Sequence, residues 1–125
     1  MKNQKPMNQP KASYRFSCDI TNLDIINDVD KVYLEFNGDE ATANITFRNT
    51  YGREMIKEVC DYSKLDHTSD TITINLLDGS HDNNSVEKVL IYDFKIEKII
   101  VDNLDYSNSE AVHIKLICTG KYING

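Results

Sequence analysis

The chain has 125 residues, 40% hydrophobic and 27% charged, with a formal net charge of −6. This suits one domain around one core and excludes a disordered or fibrous protein. No apolar run approaches the ~20 residues of a membrane-spanning helix, and no apolar stretch follows the basic N-terminus as it would in a secretory signal.

The charge is uneven. Residues 1–15 carry Lys2, Lys5, Lys11 and Arg15 and no acid, whereas the other 110 residues hold 20 acids and 10 bases. An acidic body repels the DNA backbone. A basic arm is either a solvated tail or a contact for an acidic neighbour, including a second copy of the chain. Residues 1–12, rich in Lys, Asn, Gln and Pro, read as a flexible N-terminal arm, and residues 13–125 as one β-rich domain. Cys18, Cys60 and Cys118 are odd in number and far apart. They therefore read as small buried hydrophobes in a reducing compartment and not as a disulfide framework.

Residues 13–21 alternate, with Tyr14, Phe16, Cys18 and Ile20 on one face, the period of a half-buried strand. Residues 22–30, rich in Asn and Asp, read as a loop pinned to the core by Ile25, Ile26 and Val29. Val32, Leu34 and Phe36 alternate again, and Asn37-Gly38-Asp39-Glu40 turns the chain into a return strand with Ala43, Ile45 and Phe47 inward. Asn-Gly between alternating segments is the strongest short hairpin signal. Over residues 52–62 the period changes. Met55, Ile56, Val59, Cys60 and Tyr62 recur at three- and four-residue spacing, which predicts one amphipathic helix capped by Asn49 or Thr50. Period two returns with Ile72, Ile74 and Leu76. After a polar loop at 78–85, residues 86–101 read as a long strand with Tyr92, Phe94 and Ile96 on one face and a bulge or bend near Leu90 or Lys98. A turn at 102–109 leads to a last strand with Val112, Ile114, Leu116 and Cys118 inward, ending at Gly120. The predicted fold is mainly β: a six- to seven-stranded antiparallel β-sandwich or barrel with one short α-helix, at about 52–62, between strands 3 and 4.

The chain offers no residues for catalysis. His67 and His81 fall in predicted loops and His113 on the polar face of the last strand, and no HExxH, CxxC or GxSxG occurs. The loop Asp78-Gly79-Ser80-His81-Asp82-Asn83-Asn84 spaces its oxygens like the start of a calcium loop, but Asn83 stands where glycine is required and Val89 where glutamate closes the site. No cofactor, no metal and no enzymatic activity are expected. Binding or structural roles remain, since strand-rich domains with open edges associate by backbone pairing.

The stretch VEKVLIYDFKIEKIIVDNLDYSNSEAVHIKLICTGKY, residues 86–122, resembles the closing hairpin of bacteriophage tail-tube proteins and their type VI secretion relatives. The resemblance lies in a long strand, then Leu104, Asp105, Tyr106, Ser107, Asn108, Ser109 and Glu110, then an alternating strand through Val112, Ile114 and Leu116 to Tyr122. The order strands, helix, strands and the opening YRFSCDITNL are also similar. The resemblance implies a virion component assembled in the host bacterial cytoplasm. It would be a homohexameric ring whose sheets join into a continuous inner barrel, with rings stacking and DNA passing through without specific binding. It is compatible with the tube subunit itself or with a tube initiator, tail-completion or head-surface protein. On this reading Lys2, Lys5, Lys11 and Arg15 in the arm, and Leu104, Asp105, Tyr106 and Glu110 in the closing hairpin, are the assembly residues. Partners would be further copies and other virion proteins, with no membrane. A capsid-decoration or other non-enzymatic β-sandwich binding module is the alternative.

Overall fold

Strands and helix follow one another in the order the alternation predicts. In the computed structural model, which describes residues 11, 15–79, 84–102, 104–107 and 110–124, they are β1 (Phe16–Ile20), β2 (Val29–Asn37), β3 (Glu40–Arg48), α1 (Met55–Ser63), β4 (Thr71–Leu77), β5 (Ser85–Val101) and β6 (His113–Asn124). All six strands form one antiparallel sheet in the order β1-β4-β5-β6-β3-β2. The sheet curls into a half-barrel whose two edge strands, β1 and β2, approach each other. The expected sandwich or barrel is thus a single curled sheet of six strands, with the helix where it was predicted.

The inward face follows the alternation. Cys18 and Ile20, then Ala41, Ala43, Ile45 and Phe47, then Ile72 and Ile74, then Ile114, Leu116 and Cys118 are all buried in one cluster. Burial pushes the Cys18 and Cys118 thiols up to about 12, so both are inert hydrophobes. Along the β3–β6 pair the facing residues shrink from Phe47–Ile114 through Ile45–Leu116 and Ala43–Cys118 to Ala41–Gly120. This taper leaves room for a large side chain from elsewhere, and Phe94 of β5 takes it. A Cβ built on Gly120 would meet Phe94 Cβ at 2.7 Å and Ile91 Cγ2 at 2.9 Å, so only glycine allows the approach.

β5 departs from simple alternation. Its inward residues are Val89 and Ile91, then Phe94 and Ile96, then Ile99 and Val101, three pairs separated by steps of three. Each extra step is a register shift against β6, between Tyr92 and Lys95 and again between Ile96 and Lys98. At the first, Asp93 and Phe94 oppose Gly120 alone, and Asp93 sits at φ 50, a left-handed conformation that aspartate tolerates better than most residues. The bulge near Lys98 was expected. The other lies at Asp93, not Leu90, and it turns Tyr92 away from the face of Phe94 and Ile96, which the sequence pattern had placed together.

Other expectations are corrected at the element ends. The helix begins at Met55, not residue 52, because Gly52 at φ 87 sits in a turn that no helix contains. Neither Asn49 nor Thr50 caps it. The N-cap is Glu54, with no side-chain cap bond, and the Thr50 amide and hydroxyl point at Met55 Sδ. Met55, Val59 and Tyr62 are buried, but Ile56 is exposed, since so short a helix buries only a narrow stripe. In the 22–30 loop, Leu23 and Ile25 are the buried anchors, while Ile26 faces solvent and Val29 already belongs to β2. The hairpin turn is Gly38-Asp39, with Asn37 paired to Glu40. Replacing Gly120 by valine forces Phe94 and Ile91 apart and should lower unfolding stability in urea by about 1–3 kcal/mol, whereas Gly38→Ala, with open space around its Cβ position, costs only its turn strain.

Candidate assembly surfaces

The long strand β5 gives the molecule two unlike ends. The β4–β5 loop and the finish of β6 lie at its start. The β5–β6 loop at 102–112 and the lead into α1, joined where the Asn49 amide donates to the Val112 carbonyl, lie at its far end, the helix end, while the β2–β3 turn and the start of β4 lie between, because Thr71, Tyr92, Lys121 and Glu40 share one row of pairing. Eleven of the twenty acids lie in the segments 21–30, 49–70 and 102–112, Asp102, Asp105 and Glu110 among them around the β5–β6 loop.

A buried polar network holds the helix end. His67 Nδ1 faces Asp70 Oδ2 at 3.0 Å, Asn22 Nδ2 donates to Asp70 Oδ1 at 3.4 Å, and the Asp70 amide donates back to the His67 carbonyl. The Tyr62 hydroxyl donates to the Thr21 carbonyl at 2.7 Å and lies 3.3 Å from Asp70 Oδ2. Burial, and then the Asp70 carboxylate, raises the Tyr62 phenol above its ordinary value, so it stays a neutral donor. The His67 ring stacks on Phe94, centroids 5.2 Å apart and planes 6° from parallel. One chain of contacts thus runs from Gly120 through Phe94 and His67 to the end of β1. The sequence placed His67 in a loop and gave no sign that it is buried. The only hint was its spacing of three from Asp70. Asp70→Ala leaves the buried His67 ring without its carboxylate, and a denaturant melt should show a loss of about 1–3 kcal/mol.

The predicted assembly residues fall in two places. Lys2 and Lys5 lie outside the described residues. Lys11 pairs with Glu87 at the start of β5, and the Arg15 side chain lies over Gly79. Both described arm cations are therefore set against the body of their own chain. Leu104, Asp105, Tyr106 and Glu110 are all exposed on the β5–β6 loop, Tyr106 fully and Leu104 at 78%. With Asp102, Ala111 and Val112 they line an open groove of about 400 Å³, apolar inside and carrying three carboxylates.

Local bonds shape this loop. The Ser107 amide and hydroxyl both donate to Asp105 Oδ1, at 3.0 and 2.8 Å, forming an Asx turn. His113 anchors the base, its amide donating to Asp102 Oδ1 at 3.1 Å and its Nε2 lying 2.7 Å from Asp30 Oδ2, where Arg48 also reaches. The Ser107 amide, then its hydroxyl, hold Asp105 below the ordinary aspartate value. A group depressed in this way keeps its turn closed above the ordinary value and releases it as pH falls through the lowered one. A carboxyl-carbon NMR titration should find the Asp105 midpoint below that of an unstructured aspartate, and Ser107→Ala should move it partway back.

Two strand edges are also open. β2 has no strand paired on its outer side over its nine residues among the described residues. β4 follows β5 only as far as Thr71 opposite Tyr92, so residues 93–101 of β5 have no strand partner on that side among the described residues. The outward face of this part of the sheet is not acidic. It carries Lys31, Lys95, Lys98, Lys115 and Lys121 together with Glu35, Glu40, Asp93 and Glu97, Lys95 pairing with Glu97 and Lys121 with Asp93.

No protein-family model matches the chain, and no curated protein matches it in sequence. Solved structures do match in fold. A chain in the cryo-EM structure of an extracellular contractile injection system, the PVC sheath-tube complex in the extended state, superposes with a TM-score of 0.68 at 10% identity, covering 95% of this chain and 93% of that one. A chain of the anti-feeding prophage tube-terminating cap gives 0.66 at 11% identity, covering 98% and 95%. A chain of the PVC sheath/tube terminator in the extended state gives 0.66 at 12%, covering 96% and 99%. Over nearly its whole length, the chain shares its fold with components of phage-tail-like contractile injection systems.

Proposed function

We propose that the chain is a non-catalytic structural component of a phage-tail-like particle, a tube subunit or a tube-terminating ring, formed by six copies around an axis. The observation that carries this reading is the pair of open edges: nine residues of β2 on one flank and residues 93–101 of β5 on the other. Edges of equal length on opposite flanks of one four-strand segment suit head-to-tail pairing, which closes into a ring if the rotation permits. The near-complete overlap with tube and terminator chains supports it, as does the resemblance of residues 86–122 to tail-tube hairpins.

A DNA-repelling acidic lumen is not part of this reading. Net charge does not say where charges sit, and the outward sheet face mixes lysines with acids, Lys95 with Glu97 and Lys121 with Asp93. Passage of DNA therefore has no support here, and a particle of the injection type serves as well as a virion.

Because Asn37 and Glu40 flank a two-residue turn, alternate residues of β2, Val32 among them, direct their N–H groups to the open edge. Light scattering on the eluting protein, with negative-stain imaging, should show six-membered rings. Val32→Pro should abolish them while Val32→Ala, which loses similar packing but keeps the N–H, retains them. A strict monomer at high concentration would overturn the ring and favour a stand-alone binding module.

A further inference from the structure

We infer that the β5–β6 groove at the helix end receives the basic N-terminal arm of another copy of the chain. The inference deepens the ring reading, on which it rests, by naming the contact that joins one ring to the next. Three observations carry it. The groove is lined by Leu104, Tyr106, Ala111 and Val112 and carries Asp102, Asp105 and Glu110, so it suits a segment that mixes apolar side chains with cations. The arm, MKNQKPMNQPK, has that composition: Met1, Met7 and two prolines between Lys2, Lys5 and Lys11, and no acid.

The third observation is position. Lys11 is held at the start of β5 by Glu87, and the groove opens beyond the far end of the same strand. From Glu87 to Asp102 the strand spans roughly 45 Å. Lys5, six residues from Lys11, reaches at most about 22 Å, and Lys2 at most about 32 Å. The arm therefore falls short of the groove of its own chain. Lys11 is held at the start of β5 and the groove opens beyond its far end, so arm and groove meet when copies stack end to end, and the arm that fills the groove comes from a neighbour. Such a contact is heterologous and repeats without closing, which suits a stack and not a dimer. The opposite charges of arm and groove also steer copies into one polarity.

The test uses the full chain. Unlabelled and ¹⁵N-labelled protein are mixed, assembled, joined with a zero-length carbodiimide and digested. Isotopically mixed links from Lys2 or Lys5 to Asp105 or Glu110 are expected, and links confined to one chain would overturn the inference. Sedimentation then reads stacking. Lys2→Glu/Lys5→Glu and Asp105→Lys/Glu110→Lys should each lower species larger than one ring at least tenfold, as should about 0.5 M salt, where screening reaches about 4 Å. The chain carrying all four substitutions should stack again, which neither misfolding nor a merely structural loop would explain. Undiminished stacking in either pair, or no recovery in the combination, would overturn the inference. Native mass separates the two readings: single rings in Lys2→Glu/Lys5→Glu agree with both, whereas mixed links in a chain that never forms rings leave the arm contact standing and remove the ring.

Discussion

The rest of the structure depends on what β5 must do at Gly120. A 17-residue strand is long enough to twist out of any flat sheet, and it has to pair with β4 over its first half and with β6 over nearly all of its length. Two bulges resolve the conflict by adding local twist at the points where one partner is lost and the direction changes. At the first, two residues crowd against one, and the crowding is relieved because the opposing residue has no side chain. Phe94 is thereby turned inward at the narrow end of the β3–β6 taper, and the half-barrel has a filled centre instead of a cavity.

That placement extends to the helix end. Phe94 supplies the flat face on which His67 stacks, and His67 carries Asp70, to which Tyr62 and Asn22 attach. The Tyr62 hydroxyl, bonded to the Thr21 carbonyl and beside Asp70, ties α1 to the end of β1, and losing a partner in this low-dielectric interior is costly. The helix is short and lacks a side-chain cap, so its position comes from Met55, Val59 and Tyr62 in the core and not from its own stability. The loops around it are thereby set as a rigid, acidic rim.

The same bulges leave the second half of β5 open. Where β4 stops, β5 continues as an edge, and the molecule becomes a four-strand segment with two free flanks and a closed core behind it. Exposed edges of this length are a liability for a protein that remains alone and a means of growth for one that assembles. The lysines on the outward face and edge discourage disordered association without blocking pairing in one register.

Much of this was legible in the sequence. Period-two alternation placed five of the six strands close to their observed bounds, the Asn-Gly signal located the β2–β3 hairpin, and the change of period located the helix, because those patterns reflect local geometry and one-sided burial. The phrase from Leu104 to Glu110 marked the loop that carries the exposed groove. Several features required the tertiary structure. Alternation across a bulge misassigns Tyr92, since an inserted residue flips every side chain after it. Burial of His67 depends on Phe94 arriving from a strand distant in sequence. Net charge summed the acids correctly but could not show that three of them line the β5–β6 groove, and only the ladder of pairings shows that β4 leaves β5 early enough to open a second edge. What the sequence by itself determined is a mainly β domain with one helix between its third and fourth strands. The tertiary structure decided which surfaces remain free, because open edges and charged ends arise from strands paired across the whole chain and not from any local run of residues.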